Sequence, residues 1–257
     1  MTIQAQSYGP IAGELINSGE RLTVIAKFER SLYLECETGG LICLGHLVIG
    51  DGPLNILAEF NDRFSVGADI EIDLSIATPW APTSVNLSGG RAKAALARLD
   101  AGMVVVPPRG LAVKDETPVS QRTDPAREAL VDWYRSDRET LPPEVPIRAL
   151  LGLGEGLTPA GDDLLVGWML GLQTTGQKLV AERLYQRIQS LAPDLTNAIS
   201  QAHLAAGARG LASAALHDLL LALSGVGGVT DALKRIDRIG HSSGWDALAG
   251  LRDVLKT

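Results

Sequence analysis

From about residue 21 to 74 the apolar positions recur with a short period, in runs at 22–28, 31–36, 41–44, 54–57 and 68–74. Short alternating runs separated by turn residues are the pattern of half-buried antiparallel strands. Thr38-Gly39-Gly40 and Gly50-Asp51-Gly52-Pro53 supply the turns. Residues 88–99 then open a helix at Ser88-Gly89-Gly90-Arg91, and 104–124 carry Pro107, Pro108 and Pro118 with little periodicity. Beyond them the period becomes helical. A helix capped by Asp124-Pro125 places Ala126, Ala129, Leu130, Trp133 and Tyr134 on one face, and helical patterns recur at 178–192, 196–207, 210–224, 230–239 and 244–256. The expected fold is α+β: an N-terminal antiparallel β barrel or sandwich with one short helix over 1–103, an irregular connection over 104–123, and an α-helical domain over 124–257.

The helical half contains one stretch of a different kind, Gly152-Leu-Gly-Glu-Gly-Leu-Thr-Pro-Ala-Gly-Asp-Asp-Leu-Leu-Val-Gly-Trp168. Thr158 followed by Pro159 reads as a helix N-cap and first helical residue. Gly152, Gly154 and Gly156 give the loop before it access to positive φ and let another group approach its amides. A glycine loop feeding a helix start suits an anion, yet Asp162 and Asp163 in the first turn would repel one. A divalent cation held by Asp162 and Asp163, with Mg²⁺ the candidate, or a cationic or amide-bearing substrate would resolve that conflict. Acidic residues there also complement the helix macrodipole with no further role. The helix continues apolar on all sides through Leu172, so it belongs in the core, with Gly167 and Gly171 permitting close helix approach.

A second motif, Ile239-Gly-His-Ser-Ser-Gly-Trp-Asp246, ends one helix at Gly240 and starts another, with Ser243 and Asp246 spaced as a capping box. That explanation leaves His241 and Ser242 unused, and both could converge on a neighbouring helix mouth. A Ser-His-Asp triad has the residues but lacks a nucleophile elbow. Thr196, Ser200 and His203 lie on one helical face that either meets solvent or lines a pocket. His46 and His217 read as structural, and Cys36 and Cys43 as buried strand residues.

Composition narrows the function classes. A formal charge of -7 with no basic run disfavours nucleic acid and anionic membranes as partners. No apolar run approaches the roughly 18 residues needed to span a bilayer, and the amino terminus has no signal-peptide pattern. A cytoplasmic protein is expected, and two cysteines make neither a disulfide framework nor a zinc site.

The pattern Gly-Leu-Gly-x-Gly-Leu-Thr-Pro-x-Gly-Asp-Asp, followed by Gly240-His-Ser-Ser-Gly-Trp-Asp246, resembles a bacterial domain family that includes AllH, a subunit of oxamate carbamoyltransferase in anaerobic allantoin breakdown. The resemblance implies a part in interconverting oxamate and carbamoyl phosphate with oxalurate and phosphate, a small carboxylate or carbamoyl substrate, and other carbamoyltransferase subunits as partners. On that reading Asp162, Asp163 and His241 are candidate catalytic residues, and Gly154, Gly156, Thr158, Ser200 and Ser242 candidate substrate-binding residues. The Ser-x-Arg-Thr-Arg loop of aspartate and ornithine carbamoyltransferases is absent. Two other readings therefore stand beside this one: a non-catalytic ligand-binding or assembly subunit, and a metal-dependent hydrolase using Asp162 and Asp163.

Overall fold

The computed structural model describes residues 2–60, 64–113 and 118–257. They form two units, one of Met1–Pro82 with Leu211–Ala214, the other of Thr83–Gly210 with Ala215–Thr257. The division falls ahead of the helix that the sequence pattern grouped with the β region.

In the first unit the strands are β1 (Thr2–Gln4), β2 (Ser7–Tyr8), β3 (Leu22–Lys27), β4 (Ser31–Cys36), β5 (Leu41–Gly45), β6 (Asn55–Leu57), β7 (Asp69–Asp73) and β8 (Thr78–Pro79), with helix α1 at Pro10–Asn17. They pair in the order β1-β7-β3-β4-β5-β6-β2-β8. The five expected runs are all strands. The expectation of a purely antiparallel sheet is corrected, since β1·β7, β2·β8 and β5·β6 pair in parallel. The sheet curls because β1 and β2, near its opposite ends, are joined only by Ala5 and Gln6, whose amides donate to Asp73 O at 3.0 Å and Leu57 O at 2.8 Å. Val24, Leu34, Ile42, Leu44 and Ile56 fill the inner face, with Ala12 of α1 against them. The first amides of α1 are met by the Pro53 carbonyl, which accepts from Ile11 and Ala12. Cys36 and Cys43 are buried here, and burial pushes both thiols up to about 11, so neither is a ready nucleophile.

The second unit is helical: α2 (Gly90–Val105), α3 (Pro118–Ser136), α4 (Glu144–Leu150), α5 (Ala160–Thr174), α6 (Lys178–Leu195), α7 (Ala198–Ala208), α8 (Ala214–Ser224), α9 (Val229–Ile236) and α10 (Ser243–Leu255). The third helix starts six residues ahead of the Asp124 cap expected for it, within the stretch expected to be irregular. Helix α5 is the axis of this unit, with every residue from Gly161 to Leu172 buried. It runs parallel to α10, since Asp163 meets Ser243, Gly167 meets Ala247 and Leu251, and Gly171 meets Leu251 and Val254. The two backbones touch through glycine. A Cβ at Gly167 would lie 1.7 Å from Ala247 O, and one at Gly250 would lie 2.0 Å from Leu164 O. Trp168 and Trp245, both fully buried, flank this crossing.

Replacing Gly167 by Ala should therefore force the helices apart and cost about 3 kcal/mol or more, read by chemical denaturation. Gly156→Ala, where the added carbon meets nothing, should cost only the left-handed backbone penalty of about 1–2 kcal/mol. A Gly167→Ala protein as stable as the parent would contradict the close crossing.

Candidate functional site

The parallel crossing sets the N-terminal ends of α5 and α10 side by side. Each end carries roughly half a positive charge on unpaired amides, so the shared mouth attracts negative groups. It holds three buried carboxyls, Asp162 and Asp163 from α5 and Asp246 from α10. They have three different environments.

Asp162 is a knot. Its Oδ1 accepts from the Gly152 amide at 2.8 Å, and its Oδ2 accepts from the Ser200 hydroxyl at 2.6 Å and from the Thr196 hydroxyl. It thereby ties the glycine loop and the start of α7 to α5. Ser200 of α7 is fully buried and Thr196, just ahead of that helix, is half-buried, so both turn inward rather than to solvent. Burial raises the Asp162 pKa against these three donors. An open groove of about 410 Å³ lies beside this knot, lined by Gly152, Pro159, Asp194, Thr196 and Asn197 among others. His203 of α7 and His217 of α8 are held down to about 4 by burial.

Asp246 is clamped from outside its helix. Its Oδ1 accepts from the Leu111 amide at 2.7 Å, and the Ser242 hydroxyl also reaches it. Leu111 sits in a single 3₁₀ turn at Gly110–Ala112. The Leu111 carbonyl accepts from Arg127 Nη1 at 3.0 Å, while Arg127 grips Asp253 with two bonds of 2.8 and 2.9 Å. Gly110 has φ 53°, and a Cβ there would lie 2.3 Å from Asp246 Oδ1, so only glycine lets the turn close. Burial raises the Asp246 pKa, opposed by the Leu111 amide, Ser242, His241 and Arg127. The expected capping box is corrected. Ser242 rather than Ser243 is the N-cap, and Asp246 faces Leu111.

Asp163 is left with least. It is 9% exposed, and its Oδ2 is buried with no hydrogen-bond partner. The hydroxyls of Ser243 and Thr158 approach its carboxyl, and they lie 3.1 Å from each other. Burial raises its pKa well above the ordinary value, and the charges of Asp246 and Asp162 add to the rise. Thr158 does not cap α5 as expected. Pro159 takes that position, and the Thr158 hydroxyl is turned across to α10.

The glycine loop has the backbone its sequence suggested, with Gly152, Gly154 and Gly156 at φ 70°, 123° and 102°. A Cβ at Gly154 would lie 2.7 Å from the Ala160 amide, so glycine there leaves the first amide of α5 uncovered. The next amide, of Gly161, donates to Leu153 O at 2.9 Å. On α10, a Cβ at Gly240 would lie 3.2 Å from Ser243 Oγ. Among the described residues, the Ala160 and Ser243 amides have no acceptor. His241 is exposed at the rim, near enough to Asp246 to favour its ionised form.

Of the residues singled out from sequence, Asp163, Thr158, Ser242 and His241 thus gather near the mouth. Asp162 and Ser200 form the knot behind it, and Gly154 and Gly156 lie in the exposed loop. The sequence reading missed Gly110, Leu111 and Arg127, which lie more than 100 residues from Asp246 and carry no local signal. A Mg²⁺ ion on the aspartate pair would compete with bonds that hold the fold. Asp162 already serves three donors, and among the described residues no three His, Cys, Asp or Glu side chains converge as a metal-binding group.

Two stability predictions follow from these environments. Asp162→Ala strands the Gly152, Thr196 and Ser200 donors and should cost about 3 kcal/mol in denaturation. For Asp163 the folded-state pKa is raised, so the folded protein binds more protons than the unfolded chain above the ordinary carboxylate range. Stability is then lost as pH rises from that range through the folded pKa. Asp163→Asn, which does not ionise, should melt higher than the parent at neutral pH and show a flatter pH dependence. A lower melting temperature at neutral pH would contradict this account.

Comparison with known proteins bears on the same segment. No curated protein and no solved structure matches the chain. One family model does, over residues 150–255, a stretch running from the glycine loop through α5 to the end of α10. Both helices of the mouth and the loop before it lie inside the match, so this stretch is similar to the family described as oxamate carbamoyltransferase subunit AllH.

Proposed function

We propose that the protein is a subunit of an oxamate carbamoyltransferase-like enzyme, and that the mouth shared by α5 and α10 receives a polar group of the substrates. The observation that carries this reading is Asp163. Its orphaned oxygen lies between two helix starts and beside the Thr158 and Ser243 hydroxyls. Buried polar atoms are normally paired, and an orphan at a helix mouth favours a ligand that completes it. The reaction transfers the carbamoyl group of carbamoyl phosphate to the amide nitrogen of oxamate. A C–N bond forms, the bond from carbon to the phosphate oxygen breaks, and the nitrogen loses a proton. Such a transfer needs donors for the carbamoyl oxygen and the departing phosphate. The Ala160 and Ser243 amides and the Thr158 and Ser243 hydroxyls are donors of that kind. Exposed at the rim, His241 is suited to move the proton.

The partners on this reading are the small carboxylate or carbamoyl substrate and the other carbamoyltransferase subunits, in the cytoplasm. No helix of the described residues is long and apolar enough to cross a membrane. A second reading, that of a ligand-binding or assembly subunit whose partners hold the chemistry, is favoured by the use of Asp162 and Asp246 inside the fold. The same saturation of Asp162 speaks against a hydrolase built on the aspartate pair.

The test is oxamate-dependent phosphate release from carbamoyl phosphate, measured for the chain alone and combined with its partner subunits. The combined enzyme should turn over, and Thr158→Ala with Ser243→Ala should lower its rate by about a hundredfold while the protein stays folded. Full activity in the folded double variant would remove the mouth from the mechanism and leave the assembly reading.

A further inference from the structure

Which substrate group Asp163 meets depends on whether its orphaned oxygen accepts a hydrogen bond or donates one. An ionised oxygen buried without a donor is the costlier state, because charge loses its hydration with nothing in exchange. A neutral carboxyl left without an acceptor loses one hydrogen bond. The Ser243 and Thr158 hydroxyls favour the ionised form, and the neighbouring carboxyls oppose it. From α10 Asp246 faces it, and on its own helix Asp162 precedes it. The positive groups nearby are engaged elsewhere: Arg127 of α3 is bound to Asp253 and Leu111 O, and His241 acts on Asp246. The remaining groups of the mouth are donors, namely the Ala160 and Ser243 amides and the two hydroxyls.

We infer that Asp163 serves the mouth as a hydrogen-bond donor, so that the paired helix starts form a receptor for an oxyanion, a carboxylate or phosphate oxygen, rather than for an amide nitrogen. This rests on the proposed substrate site and fixes its polarity. It also removes the conflict between a glycine-loop anion site and its two aspartates. Asp162 is tied down by three donors, and Asp163 joins the donors. Asp163 is then a specificity residue. As a neutral carboxyl it donates to an anion's oxygen, and once ionised it repels that oxygen.

Two experiments on the full chain test this. In infrared difference spectra, the parent protein at neutral pH should show a protonated carboxylic acid band that Asp163→Asn removes; its absence overturns the inference whatever the ligand. Calorimetric titration with oxamate and with inorganic phosphate, alone and with partner subunits, reads the site itself. Affinity should fall as pH rises from neutral to alkaline. Asp163→Asn keeps a donor in place and should bind within about threefold of the parent with no alkaline fall, whereas Asp163→Ala should bind at least about tenfold more weakly. Preference for phosphate over oxamate, or the reverse, separates the two sources of the oxyanion. Oxamate binding that survives high pH in the parent and vanishes in Asp163→Asn overturns the inference but leaves the substrate site standing. Binding of neither anion under any condition overturns both.

Discussion

Everything at the candidate site depends on how closely α5 and α10 approach. Parallel helices set their dipoles side by side, an arrangement that is unfavourable unless something compensates. Here glycines at 167 and 250 allow backbone to touch backbone, and burial of Trp168, Trp245 and the leucines around them supplies the compensation. Close packing fixes the register of the two helices within the width of a methyl group. That register brings Thr158 within 3.1 Å of Ser243 and places Asp163 beneath both.

Three carboxyls buried at one helix mouth would be hard to sustain if all were alike. The fold treats each differently. Asp162 is surrounded by donors from three segments and serves as a tie. Asp246 is held by a turn that only glycine at 110 can make, and that turn is locked in place by the Arg127–Asp253 pair. Asp163 alone keeps an oxygen with no internal use. A group that is costly to bury and is not used to hold the fold is the one most open to a role in binding.

Much of the architecture was legible in the sequence because it is periodic. The five longer strand runs and the apolar helix at 160–174 are read from alternation and from unbroken hydrophobicity. The short strands at 2–4, 7–8 and 78–79 carry too few residues to show a period. Helix α1 starts where a carbonyl from Pro53 meets its amides, which no local pattern announces. At the site, the three glycines of the loop were legible because positive φ has one common residue. The two caps at the site were each misplaced by one position, since side chains that read as local caps were recruited by tertiary partners: the Thr158 hydroxyl by Ser243, and the Asp246 carboxyl by Leu111. The inward face of α7 was ambiguous for the same reason. Thr196 and Ser200 are polar, and only the position of Asp162 decides that they point in.

The most direct test of the account is an amide-resolved NMR titration of the protein with inorganic phosphate and with oxamate. If the mouth is the receptor, the amides of Ala160, Gly161, Ser243 and Gly244 should shift together, from two segments some 80 residues apart. Shifts confined to the groove around Asp194 and Asn197, or to the β unit, would contradict the claim that the paired helix starts are where this protein meets its substrate.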